Sequence, residues 1–309
     1  FGGKPALAEK PEGLLWVETQ RFWKESLREH LAAIRDAGER VRGQGRFRVF
    51  PNGGEQRPEN VRLAHRDTDY VMFERSMGEY GTHPGTVKVP VVPGMAIREI
   101  NDNIFECKVT RAQGGRVQPI LLTRAGYPRR IPWAEMTPDS ARLGMAECAA
   151  FAGGGGFLVR PSYAEFGPAL KEYRSFFESR AGLYDGAEPW APVAVAALGE
   201  QNLYGNRPHI EGVRQATRAF LDAHVLFDYL TEDHLDGKSL APYRALLLAN
   251  VAVMEPAAVR AVRDYVRSGG AVLLVGAPPA HDARLQPLAE TLPALGTPDA
   301  ATGVEVRKD

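Results

Sequence analysis

The feature that most constrains this chain is the alternation of short apolar runs with helical stretches. Parallel strands cannot be joined by a tight turn, because each crossover takes a dozen or more residues and is usually a helix. From about residue 190 onward the pattern is regular. Val193 to Leu198 reads as a short buried strand, and Ile210, Val213, Thr217, Phe220, Leu221 and His224 mark one helical face. Leu226 to Leu230 reads as the next strand, and Tyr243 to Val253 contains the most apolar strand of the chain, ALLLANVAV. Glu255-Pro256 opens a helix, with Pro tolerated in its first turn. Val259, Val262 and Val266 form its buried stripe, Gly269-Gly270 ends it, and AVLLVG is a further strand. This order predicts a flavodoxin-like sandwich.

The first half of the chain alternates less cleanly. The run GLLWVE reads as a strand ending at Glu18, followed by a helix on which Trp23, Leu27, Leu31, Ile34 and Val41 recur and which Gly43 to Gly45 stops. RFRVFPN reads as a strand ending at Pro51-Asn52, and DYVMFE as another that finishes on Glu74. A helix from about Ile97 to Ala112 precedes the strand Pro119 to Leu122. A helix from Pro138 to Ala152 leads through four glycines to the strand Gly156 to Val159. Five such strands fit an open doubly wound sheet or part of an eight-stranded barrel. Gly182, Gly186, Pro189 and Pro192 mark the boundary, giving units 1–186 and 187–309.

Composition removes several function classes. The 38 basic and 38 acidic residues cancel, so no basic excess speaks for nucleic acid. No apolar run approaches the roughly 20 residues that span a bilayer. The two cysteines, Cys107 and Cys148, lie in helical segments and offer neither a disulfide framework nor a Cys-rich zinc site. The seven histidines include no HExxH pattern, so no metal is expected. The glycines 153–156 precede a strand, whereas a nucleotide loop follows one, so no cofactor is expected either. The chain begins with Phe1 rather than Met, from which a missing leader or N-terminal portion is expected.

Two strand-like runs that each end on a glutamate are the most informative chemical feature. Active sites of parallel barrels form at the carboxyl ends of the strands. With one strand between them, Glu18 and Glu74 would sit roughly 9 to 10 Å apart at the backbone. Their carboxyl groups could then reach the ~5 to 9.5 Å separations at which one carboxyl protonates a glycosidic oxygen while the other attacks or activates water. Asn52, Asp69 and Arg124 fall near strand ends, where they could meet sugar hydroxyls. Trp16, Tyr127 and Trp133 offer aromatic faces for a pyranose ring. Each of these residues also has an ordinary structural reading as a turn, an ion pair or core.

The stretch LTEDHLDGKSLAPYRALLLANVAVMEPAAVRAVRDYVRSGGAVLLVG resembles the β-galactosidase trimerisation domain that follows the barrel in family 42 glycoside hydrolases. Tyr265, Val266, Gly269 and Gly270 match its Tyr-Val-x-x-Gly-Gly helix end, and Ala249-Asn250 stands where the family has Pro-Asn. MAECAAFAGGGGFLV, Met145 to Val159, is similar to the last helix and strand of such a barrel. The resemblance implies a (β/α)8 barrel of which this chain holds strands four to eight: Leu14 to Glu18, Phe47 to Asn52, Tyr70 to Glu74, Ile120 to Leu122 and Gly156 to Val159. The second domain would resemble class I glutamine amidotransferases without their cysteine. The resemblance also implies a carbohydrate substrate, a homo-oligomer with the trimer as its form, and Glu18 as general acid/base. The chain departs from the family at Val17, where Asn is usual, and at Leu122-Thr123-Arg124, where the nucleophile would close strand seven; Glu74 would be a relocated partner. Those departures support a second reading, a non-catalytic carbohydrate-binding or assembly protein on the same scaffold.

Overall fold

The computed structural model describes residues 12–50, 61–65, 67–69, 71–76, 102–112, 117–122, 138–152, 156–158, 167–184 and 190–292. The first element corrects the sequence reading. Residues Gly13–Arg42 form one helix of 30 residues, α1, so GLLWVE is its opening turns and not a strand. No glycine or proline separates Glu18 from the helix behind it, and without a breaker the helix propagates back to Gly13. It ends at Gly43, whose φ of 93° suits glycine and whose N–H donates to the Glu39 carbonyl at 2.8 Å.

The buried side of α1 is also not the one its aliphatic spacing suggested. Val17 is buried at 1% exposure, with Arg21, Lys24, Arg28, Leu31 and Arg35 half-buried along the same side, whereas Trp23, Leu27, Ile34 and Val41 are exposed. The alternating run at 46–50 forms no strand either. Its backbone turns instead to the loop around Asp69, with the Asp69 N–H donating to the Val49 carbonyl at 2.9 Å. A period of two makes a ladder only where a neighbouring strand supplies the partners.

The strands β1 (Val71–Ser76), β2 (Val117–Leu122) and β3 (Gly156–Leu158) form a parallel sheet in the order β1-β2-β3. This is the order expected of strands six, seven and eight. The connecting helices are α2 (Asp102–Ala112) and α3 (Pro138–Glu147), the latter running into a π-helical turn at Cys148–Ala152. Helices α4 (Gly167–Glu178) and α5 (Ala181–Tyr184) follow. The boundary expected at 186/187 falls among residues outside the described ones.

The second sheet is built from β4 (Val193–Ala196), β5 (Phe227–Leu230), β6 (Ala245–Ala249) and β7 (Ala271–Val275). Its order is β5-β4-β6-β7, all parallel. Between the strands run α6 (Arg207–Asp222), the short α7 (Gly237–Leu240) and α8 (Pro256–Arg267). The Asp236 carboxylate caps α7 by accepting from the N–H groups of Lys238 and Ser239.

Alternate residues of the strands feed two cores. Ala194, Ala196, Leu246 and Leu248 pack with Val259, Val262 and Tyr265 of α8 on one face. Val195, Leu247, Phe227 and Tyr229 pack with Val213 of α6 on the other. Phe105 and Val109 of α2 join this second core, with the Phe105 ring edge-on to Tyr229 at 5.8 Å. A helix that lies in sequence between the first two strands of the first sheet thus closes one face of the second.

Gly270 shows how tightly α8 is closed off. Its N–H donates to the Tyr265 carbonyl, and a Cβ at this position would run into the Tyr265 ring, which is held by the hydroxyl bond to the Tyr243 carbonyl at 3.1 Å. Gly270→Ala is therefore expected to cost about 1 to 3 kcal/mol through overpacking. The midpoint of urea unfolding checks this; a midpoint equal to the parent's would mean that Tyr265 swings away freely.

Candidate functional site

Of the eight residues singled out in the sequence, Asn52, Arg124, Tyr127 and Trp133 lie outside the described residues. Glu74 lies in β1, paired with Ile120, and Arg75 and Ser76 follow it before the strand ends. It is thus near the carboxyl end of a parallel strand, as expected, but not its last residue. Glu18 and Trp16 are on α1 and at no strand end.

Asp69 sits just before β1, near a strand end as expected, and that end is the amino one. Its carboxylate accepts from Arg48 at 2.8 Å and from the Val49 N–H at 2.7 Å, and Arg35 lies 3.6 Å away. Burial pushes this carboxyl up, but the Val49 N–H bond and the two guanidinium groups outweigh it and hold Asp69 below the usual range. The residue is a clamp between the 46–50 segment and the start of β1.

A polar cleft of about 850 Å³ lies between α1 and the loops that leave the carboxyl ends of β4, β5 and β6. Glu18 is in its wall, more than half exposed. Arg21, one helical turn on, is the organising group. Its Nη1 donates to Glu18 at 2.9 Å, and its Nη2 donates to Glu200 at 2.6 Å and to the Tyr204 hydroxyl at 2.8 Å. The Tyr204 hydroxyl donates to the Ala283 carbonyl at 3.0 Å, and Glu232 accepts from the Glu200 N–H at 2.7 Å. Burial raises the Tyr204 phenol, which keeps it a donor.

This chain of charges ties α1 to the second sheet. Within it Glu18 is paired with the Arg21 guanidinium and its side chain is more than half exposed.

The rule for open α/β sheets places ligands outside the carboxyl ends of the strands where the order reverses, here between β4 and β6. Protein fills that crevice. The Gln201 amide donates to the Val253 carbonyl at 2.6 Å, and its carbonyl accepts from the Ala252 N–H at 3.0 Å and from Asn206 at 2.8 Å. Asn206 also donates to the Asn250 carbonyl at 2.7 Å.

His209, fully buried, completes the plug. Its Nε2 accepts from the Leu198 N–H at 2.9 Å, so its Nδ1 carries the proton and donates to the Ala249 carbonyl at 2.7 Å. Desolvation draws its pKa down to about 4, which fixes the neutral ring. His209 is in the first turn of α6, behind Pro208. Pro208 is the one signal of a helix start, and nothing in the sequence pairs His209 with backbone groups 11 and 40 residues away. Among the described residues no group of three or more His, Cys, Asp or Glu side chains could hold a metal ion, and no helix is long and apolar enough to cross a membrane.

No protein-family model matches the chain, and no curated protein matches it in sequence. Solved structures do. The β-galactosidase from the psychrophilic Marinomonas ef1 superposes with a TM-score of 0.64 at 13% identity, covering 94% of this chain and 48% of that one. The β-galactosidase from Bacillus circulans sp. alkalophilus gives 0.64 at 13% identity, covering 92% and 43%. A catalytic mutant of the GH42 β-galactosidase from G. stearothermophilus gives 0.62 at 10% identity, covering 90% and 43%. The fold is shared with GH42 β-galactosidases. At these identities the likeness is one of backbone. The chain spans about half the length of the β-galactosidases it matches.

Proposed function

We propose that the chain is the later part of a glycoside-hydrolase-like barrel followed by a flavodoxin-like domain, and that it acts on a carbohydrate. The observation that carries the proposal is the superposition of more than nine-tenths of the chain on family 42 β-galactosidases, together with a parallel sheet in barrel order. The β5-β4-β6-β7 order, with helices on both faces, supports the flavodoxin-like assignment and a division near 186/187. Self-association as a homo-oligomer is part of the proposal, with the trimer as the form that the C-terminal resemblance implies. The exposed α1 residues Trp23, Leu27 and Ile34 support self-association.

Within this reading Glu74 is the carboxylate to test first, because it is borne by a barrel strand. Glu18 loses the argument on which its acid/base role rested, since it belongs to a helix and pairs with Arg21. That same pairing favours a second reading, in which the scaffold binds sugar without cleaving it. Hydrolysis of chromogenic galactosides separates the readings. Glu74→Gln is expected to lower kcat by about 10² to 10⁴-fold at an unchanged melting temperature, and Glu18→Gln to leave kcat within a few-fold of the parent. Full activity in Glu74→Gln removes that residue from the chemistry, and a parent that binds galactosides but does not hydrolyse them establishes the second reading.

A further inference from the structure

A separate pocket of about 580 Å³ opens where α2 and the π-helical turn meet the edge strand β5. That volume is within the range of small-molecule sites, which are mostly apolar with a few convergent polar groups. Its floor is aromatic, from Phe227 on β5 and Tyr243 before β6. Trp190, at the rim, is 75% exposed. A tryptophan left in water beside an aromatic pocket offers a flat face that no other part of the described chain covers, the surface on which the apolar side of a pyranose stacks.

The polar groups of the pocket are arranged around Asp228. Lys108 Nζ stands 3.6 Å from one carboxylate oxygen and 4.8 Å from the centre of the Phe227 ring, and the Tyr243 hydroxyl donates to the other oxygen at 3.4 Å. Lys108 is thereby committed to a partner. Burial draws its ammonium below the usual lysine range, and Asp228 offsets part of that. Among the described residues Arg111, one turn further along α2, makes a single long bond, 3.4 Å to the Phe151 carbonyl, and leaves this wall with surplus positive charge. A guanidinium with donors to spare at the mouth of an aromatic pocket suits a carboxylate, which it can take in two parallel bonds.

We propose that this pocket binds a pyranose bearing a carboxylate, a uronic acid, with Trp190 stacked on the ring and Arg111 holding the carboxylate. The sugar class rests on the carbohydrate reading above, whereas the site is distinct from the barrel strands and needs no hydrolysis. Calorimetric titration of the whole chain with galacturonate and, separately, with galactose tests it. Saturable binding of galacturonate in the millimolar range and weaker binding of galactose are expected. Trp190→Ala should weaken galacturonate about five- to tenfold at an unchanged melting temperature, as loss of one stacking face would. Arg111→Gln should abolish the preference between the two sugars.

No saturable binding of galacturonate, equal affinity of the parent for both sugars, or an undiminished affinity in Trp190→Ala would each overturn the proposal. Because binding is read without catalysis, an inactive protein that still binds galacturonate refutes hydrolysis alone. An active one that fails to bind it refutes this pocket alone.

Discussion

Replacing His209 with alanine is expected to destabilise the protein by roughly 3 to 5 kcal/mol at neutral pH. The change strands two buried backbone groups, the Leu198 N–H and the Ala249 carbonyl, each costing about 1 to 3 kcal/mol when left without a partner. It also opens a cavity at a fully buried position between β4 and β6.

The pH dependence gives an independent check. The His209 ring titrates at about 4 in the folded protein, below its ordinary value of 6.5, so the unfolded chain binds the proton first. The stability that depends on its neutral form is therefore complete above about pH 6.5 and drains away as the pH falls towards 4, by roughly 2 kcal/mol between pH 6.5 and 5. His209→Ala lacks this term, so the gap between variant and parent should narrow in acid. Urea unfolding of both proteins at about pH 7 and pH 5 measures it, and a gap that stays constant would mean that His209 is not held neutral.

Truncating Leu248 to alanine is expected to cost about 2 to 5 kcal/mol. Leu248 is fully buried on β6, with Leu274 of β7 beside it in register and the α8 core of Val259 and Val262 on the same face. Neighbours on a central strand cannot close over the void, because their backbones are pinned by ladders on both sides. Leu273→Ala supplies the comparison: its side chain is 46% exposed on the edge strand β7 and should lose less than about 1 kcal/mol. Thermal unfolding of the two variants checks this; equal losses would mean that Leu248 is packed no more tightly than a half-exposed residue of the edge strand.

How much of this was legible beforehand depended on the range of the interaction involved. Residues from Val193 to Val275 gave up their strands and helices readily, since each carries its own apolar period and its own stop, such as Gly269-Gly270 after α8. The first half did not. GLLWVE has the residues of a strand, but it became helix because the next 24 residues are helical and nothing interrupts them. RFRVF alternates as a strand should, but it found Asp69 in place of a ladder.

The strand placement of Glu18 in the carboxylate pair is corrected for the same reason. The pair assumed two strand ends, and only Glu74 is on a strand. Arg21 and His209, the groups that organise the cleft and the crevice, carried no signal of their own, because each acts through residues tens to nearly two hundred positions away.

Local pattern sufficed for the α/β class, the parallel pairing and the members of the second sheet, because hydrophobic period and turn chemistry are properties of short stretches of chain. Tertiary structure alone decided which side of α1 is buried, that α2 closes the second sheet against Phe227 and Tyr229, and which polar side chains meet. Those outcomes depend on the packing of distant surfaces, where one buried charge or one clash outweighs the preference of any single residue.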